Sequence, residues 1–530
     1  MIWVLLCILL LIPSDGISGQ GVGPGPGFRT YISSLISAYS PLEITNIKPA
    51  GTGSPAIPST NRIFRAYPGI EYNIRPAVIG GMYPYVYSLS GHPAGMGINS
   101  KTGEISWADP QENSGTITLT ATDAESTTVT ATWAITVSTT GFLFVDASYA
   151  GETETGSISQ PFKTLASMKA NTYSSNHSDI LYIRDGNYVL TNEATDSESG
   201  VHYMALHIGP YTWLGYPGET VNISGQDDVY AYFYDIYLDR LNFSDFNANA
   251  IRYGGWLNYQ TIRRCTFTAL DNQVTTNYNQ GFIFSFGSNG SDKGSYQVIQ
   301  DNELSDFTGG EGIGSLYLSN KMLIENNYIH DGGYAGGTEF TTGIGPKSAH
   351  ENMTIRGNRI IMPEGTPLDI YNRTNYDYGY PINNMEVCFN LIVASGTSRQ
   401  LAVKTWFSRY TYFYRNTIVG DIKTELITNT SPCTFDGVNG YTASPFYYYD
   451  NIIVNLNTSN SGEWNTFDYF SFAYNATSAY KNCITETGNV SSVPASNAVD
   501  TNGLLQGSYT NYIGTDGWQF SDGSTPMTSY

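Results

Sequence analysis

The sequence predicts an all-β chain in which a small β-sandwich precedes a parallel β-helix. Three observations carry this expectation. An Asn-x-aliphatic segment recurs seven times, a stretch of strict apolar alternation lies ahead of it, and the composition is poor in charge but rich in Gly and aromatics. Of 530 residues, 13% are charged and 14% aromatic, with 55 Gly and 42 Tyr. Such a chain is folded, β-rich and of extracellular type, and too apolar for disorder. Its length suits two or three domains. The formal net charge is −21, and no basic block is present to neutralise phosphates, so nucleic acid is excluded as a partner. An acidic substrate is not excluded, because a local cluster of Lys and Arg on an acidic body would itself be informative.

In chain order, "MIWVLLCILLLIPSDGISG" opens with an apolar run over residues 2–12. It is too short to span a bilayer and suits the core of a secretory signal cleaved near Gly19, although no Lys or Arg precedes it. A short anchor or a buried strand is the competing reading. The expected organisation is a signal peptide over 1–19, a Gly/Pro linker over 20–45, a sandwich over 46–138, a β-helix over 139–505 and a cap or tail over 506–530. Secretion or display at the cell surface follows, without stable membrane insertion.

The sandwich rests on period-two patterning. "VTATWAITV" puts Val129, Ala131, Trp133, Ile135 and Val137 on one face, and "GTITLTATD" does the same with Ile117, Leu119 and Ala121. The turn "INSKTGEISW" followed by "TATD" resembles the cadherin-like or immunoglobulin-like modules of secreted bacterial proteins. That resemblance implies a spacer or a binding module. Asp123 and Glu125 are candidate Ca2+ ligands, against the plainer reading of a solvated turn.

Next, "GFLFVDASYAG" gives a strand and "PFKTLASM" a helix with Pro at its start. The pair resembles the cap that covers the first coil of right-handed parallel β-helix enzymes. "DILYIRDGNYVL" then reads as two strands around an Asp-Gly turn.

The repeat is the strongest signal. Its Asn residues are Asn302, Asn327, Asn358, Asn390, Asn416, Asn451 and Asn482, spaced by 25, 31, 32, 26, 35 and 31 residues, with Cys265 and Leu241 in the same slot earlier. A variable period of this size fits a solenoid with constant strands and differing loops. Stacked Asn amides would satisfy buried turn carbonyls. The expected architecture is a right-handed single-stranded parallel β-helix. Cys265, Cys388, Cys433 and Cys483 show no zinc spacing. Cys265 and Cys388 fall four coils apart, roughly 19 Å at the usual strand spacing, so free buried thiols are expected there. The state of Cys433 and Cys483 stays open.

Aligning the strand upstream of each Asn slot by its apolar residues sets one outward face. "TTGIGPKS" turns Ile344 and Pro346 in and Lys347 out. "PLDIYNRT" turns Leu368 and Ile370 in and Asp369, Tyr371 and Arg373 out. "RQLAVKTW" turns Leu401 and Val403 in and Lys404 out. Arg252 occupies a comparable strand earlier, and Tyr371 and Trp406 offer flat surfaces for sugar rings. Three cations stacked on one face have no obvious folding value, although solvated charges near loops would look the same.

The segments "IGPKSAHENMTIRGNRI", "PLDIYNRTN" and "NNMEVCFNLI" resemble the catalytic coils of alginate lyase and chondroitinase B-like polysaccharide lyases. The resemblance is specific over about sixty residues and implies Lys347 as base and Arg373 as its partner in β-elimination on a uronic-acid polysaccharide. The Tyr-rich insertion "NRTNYDYGYPINN" departs from that pattern. Arg373 would hold the substrate carboxylate, Lys404 the next uronate, and His350 or Tyr371 would protonate the leaving oxygen. Neighbouring cations favour the neutral amine that a base requires. No cofactor is required, with Ca2+ left open.

Two other readings stand beside this one. Glycoside hydrolysis would use Asp369 with a second carboxylate from Glu339, Asp331 or Glu364. A glycan-binding adhesin or phage-spike-like solenoid would use the Tyr-rich segments without chemistry. His202 and His207 read as structural, and the sequons at Asn222 and Asn352 matter only in a eukaryotic secretory pathway.

Overall fold

The computed structural model describes residues 40–172, 179–190, 194–195, 202–205, 212–225, 230–233, 236–246, 249–254, 258–271, 281–286, 294–316, 319–333, 341–347, 351–371, 383–394, 401–406 and 409–419, and short strand segments from there to 499. Asn451, Asn482, Cys433, the signal segment and the tail lie outside them, and Cys483 falls in a strand whose side chains are not described.

Three long sheets wind through the chain after residue 141. Sheet 1 begins at Phe142–Val145 and Ile180–Ile183, sheet 2 at Gly186–Leu190 and Val221–Gly225, and sheet 3 at His202–Ala205 and Tyr230–Phe233. Their pairings are parallel, apart from the antiparallel contact of Ala194–Thr195 with His202–Ala205 at the edge of sheet 3. Val298, Leu323, Thr354 and Glu386 stand in register on successive strands of sheet 1. Their separations of 25, 31 and 32 residues match the Asn spacing. The architecture is a right-handed single-stranded parallel β-helix preceded by an N-terminal β-sandwich module.

The interior is a stack of aliphatic columns. Ile251, Ile283, Ile313, Ile344, Leu368 and Val403 form one on sheet 3, and Ile262, Ile299, Ile324, Ile355 and Val387 face them from sheet 1. Each such side chain contributes about 1.5–3 kcal/mol on burial, but only once a neighbouring coil covers it.

The turn from sheet 1 to sheet 2 explains the Asn repeat. Asp301, Asn326, Gly357, Phe389 and Arg415 adopt positive φ between 52° and 66°, each just before a ladder Asn. The left-handed residue turns the chain within two positions, and the Asn behind it points inward. Asn358 Nδ2 donates to Ile324 O and to Asn390 Oδ1, each at 3.0 Å, while its Oδ1 accepts from Asn327 N and Nδ2 at 2.9 Å. Asn302, Asn327, Asn390 and Asn416 repeat the pattern. Cys265 takes the slot one coil earlier, where its N–H donates to Asn302 Oδ1. Cys265 and Cys388 are buried free thiols, and burial pushes Cys265 up to about 12.

The first coil is capped by the helix Leu165–Thr172, whose Leu165 and Met168 enter the core. The helix starts later than Pro161 because Phe162 is committed to a bridge with Val145. Thr164 instead serves as N-cap, with Oγ1 accepting from Ser167 N at 2.9 Å.

In the module, Thr116–Thr122 pairs antiparallel with Val86–Ser90 and Thr128–Ala134. Ile117, Leu119, Ala121, Ala131, Trp133 and Ile135 are buried, while Val129 and Val137 are half-buried at the edge. Glu43–Ile44, placed in the linker by the sequence reading, pairs with Val78–Ile79, and Ile44 and Ile47 join the module core. The carboxylate of Asp123 is taken up by the N–H groups of Met82, Glu125 and Thr127, so it ties a turn together. The module lies along the outer face of sheet 1 and leaves sheet 3 facing elsewhere.

Candidate functional site

Sheet 3 carries the outward residues of interest on the strands Glu311–Leu316, Thr342–Lys347, Thr366–Tyr371 and Leu401–Trp406. Lys347 pairs with Tyr371, which pairs with Trp406, and Asp369 pairs with Lys404. Lys347 and Lys404 therefore stand in different columns of the sheet, two positions apart along the strand. The side chains of Tyr371, Lys404 and Trp406 are not described, and Arg373 and His350 lie outside the described residues. Arg252 is in register with Phe284, Gly314 and Gly345. It therefore sits three coils from the Lys347 strand, roughly 14 Å along the axis, and does not join Lys347.

What stands beside Lys347 is a carboxylate. Glu311, one coil earlier, forms an ion pair through Oε1 with Lys347 Nζ, and the two side chains are 5% and 19% exposed. The absence of a side chain at Gly345 makes this possible. A Cβ at Gly345 would lie 3.0 Å from the Glu311 Cδ and Oε1. The Glu311 carboxyl thus rests over the backbone of the Lys347 strand, with Asp369 of the following coil near enough to act on it electrostatically. Lys347 thus has a carboxylate as its neighbour on the preceding coil, while Arg373 and the side chain of Lys404, expected to stack with it, lie outside what is described.

Burial is the main influence on Glu311, and it outweighs the attraction of Lys347. With the repulsion of Asp369 added, the carboxyl is raised from its ordinary 4.5 to about 7. Its Oε2 is buried without a hydrogen-bond partner among the described residues. Burial thus favours the protonated form of this carboxyl.

Of the carboxylates expected to partner Asp369, Asp331 belongs to a strand of sheet 2 and is bonded to His330 Nδ1 at 2.6 Å. Glu364 is exposed in the turn before Thr366, and Glu339 and His207 lie outside the described residues. His202 starts a sheet 3 strand, and its side chain is not described. Glu311 was missed, although the sequence held a signal for it. "EGIG" at 311–314 and "TGIG" at 342–345 are two copies of one strand, and aligning them puts Glu311 on the coil next to Lys347, in register with Thr342. Among the described residues, no group of three or more His, Cys, Asp or Glu is arranged to hold a metal.

Residues 54–138 match the family described as "Putative Ig domain". No curated protein sequence matches the chain. Among solved structures, a rhamnogalacturonan lyase is similar at 14% identity over 61% of this chain and 83% of that one, with a TM-score of 0.36. The Yersinia enterocolitica family 28 exopolygalacturonase is similar at 9% identity over 74% and 90%, with a TM-score of 0.35. PfbA, a surface adhesin of Streptococcus pneumoniae, is similar at 11% identity over 52% and 82%, with a TM-score of 0.29. The likeness is one of architecture.

Proposed function

We propose that this chain is a secreted carbohydrate-active β-helix protein that cleaves a polysaccharide on the outer face of sheet 3. Glu311 is the proton donor and Asp369 the second carboxylate of a hydrolytic pair. The observation that carries this reading is the buried Glu311 carboxyl, paired with Lys347 of the next coil, raised to about 7 and under the influence of Asp369 one coil beyond. Two carboxyls whose environments differ divide acid and base roles between them. Lys347 fixes Oε1 of Glu311 and leaves Oε2 for the substrate. Oε2–H protonates the leaving glycosidic oxygen as its bond to the anomeric carbon breaks. Asp369 takes a proton from the water that adds to that carbon, and solvent returns the proton to Glu311.

One observation also keeps β-elimination in play. Lys347 Nζ is held by Glu311 Oε1 on the outer face of sheet 3, so the carboxylate is placed to accept a proton from the ammonium and leave an amine. That amine would abstract the proton next to a uronate carboxylate, with Arg373 neutralising the carboxylate. The partner is a polysaccharide in either case. Among the described residues, no helix is long and apolar enough to cross a membrane.

The test follows absorbance near 235 nm and reducing ends in parallel on alginate, pectate, chondroitin and neutral glycans. Hydrolysis gives reducing ends without absorbance, lost in Glu311→Gln and Asp369→Asn. Absorbance lost in Lys347→Ala and Arg373→Ala replaces hydrolysis with elimination. Silence on every glycan removes both.

A further inference from the structure

We infer that the Ig-like module is a fixed wall of the β-helix that folds with it as one cooperative unit, and is not a hinged glycan-binding appendage. The junction allows no swing. The module ends with Thr136–Val137 paired to Arg65–Ala66, and the first strand of the helix begins at Phe142. Across the short segment between them, the Arg65 guanidinium donates to Thr140 O and Gly141 O at 3.2 and 2.7 Å and lies over the Phe142 ring.

The docking face then runs along sheet 1. At one end Tyr67 meets the edges of Phe142 and Phe144 at 5.4 and 5.2 Å. Further along, Ala77 and Ile79 pack on Val298 and Leu323. At the other end Met82 and Tyr83 pack on Cys388, Phe389, Tyr412 and Tyr414. From the Phe142 strand to the Tyr412 strand is nine strand spacings, roughly 43 Å.

Between the apolar ends lies a buried polar column of sheet 1: Asp239, Arg263, Gln300, Glu325 and Arg356, in register and each 4% exposed or less. The module supplies its missing partners. Arg75 pairs with Asp301 and reaches Glu325 at 3.2 Å. Asn73 Oδ1 accepts from Arg263 at 3.0 Å, and Arg356 donates to Tyr85 Oη and Val78 O, both at 2.9 Å. Outer pairs join Arg264 to Glu104, Arg240 to Glu71 and Lys321 to Glu43.

The charges are complementary. In these contacts the module contributes one cation and three anions, and the helix contributes two anions and five cations. Five basic residues gathered on a chain of net charge −21 are thus committed to docking. Without the module, buried guanidinium and carboxylate groups would lose partners and an apolar strip would be bared, which couples the stability of the two parts.

The test is calorimetry of the full chain together with hydrogen exchange read on peptides from 116–134 of the module and 298–325 of sheet 1. The expected result is one transition and a shared slowest exchange rate. Arg75→Ala should speed both peptide groups by a similar factor, about tenfold or more. If that variant does not fold, Glu71→Gln at the half-exposed pair should lower the single transition without splitting it. Two transitions in the wild type, or faster exchange in the module peptides alone, would overturn the inference.

Discussion

Glu311 and Lys347 face each other across adjacent coils of sheet 3, joined by an ion pair that lies over Gly345. A lysine that reads in the sequence as one of three cations on a face is, in the folded chain, paired with a buried acid. That relationship moves the weight of the chemistry from lysine to carboxyl.

Glu311→Gln removes the proton donor while keeping the shape. Turnover on the best substrate should fall on the order of 10²–10⁴-fold. In the wild type, kcat/KM should decline as pH rises through about 7, where Glu311 loses its proton. A pH–rate profile with no alkaline limb near 7 would remove Glu311 from the acid role.

Gly345→Ala would place a methyl group 3.0 Å from the Glu311 carboxyl. The carboxyl must shift, so activity should drop at least about tenfold, since small misplacements of catalytic groups are costly. Thermal denaturation beside the activity assay separates displacement of the acid from loss of fold.

Glu386 is a second buried acid, raised to about 7 by burial against the pull of Arg356, with hydrogen bonds from Tyr414 Oη and Thr354 Oγ1. Its folded value exceeds the ordinary 4.5, so the native state binds more protons between those limits. Stability should therefore fall as pH rises from about 4.5 to about 7, by up to about 3 kcal/mol, and level off above. Urea midpoints across pH should show this slope weakened in Glu386→Gln, which should be the more stable protein at pH 8.

Asn358→Ala would strip Ile324 O of its donor and break the ladder towards both Asn327 and Asn390. Several buried polar groups at about 1–3 kcal/mol each give an expected loss of roughly 3 kcal/mol or more. Denaturant unfolding measures it, and a loss below about 1 kcal/mol would mean the ladder is not a stabilising element.

The solenoid was legible because it is written locally and repeatedly. Each described ladder Asn, from Asn302 to Asn416, follows a left-handed turn residue, and each aliphatic column recurs at nearly the same interval. The site was half legible. Alternation put Lys347 and Asp369 on the outward face, but Glu311 stands five register positions from Lys347, and its approach passes over Gly345, which carries no charge of its own.

By itself, the sequence determined the coil repeat, the inward columns, the free state expected of Cys265 and Cys388, and the alternation inside the module, since these follow from periodicity and stacking. Only the tertiary structure decided which residues meet across coils and across the two parts. It set Glu311 against Lys347, and it set Arg75 against Asp301 and Glu325. The physical reason is that register between coils is set by loop lengths and turn geometry, and docking by the match of two whole surfaces. Neither leaves a short-range pattern along the chain.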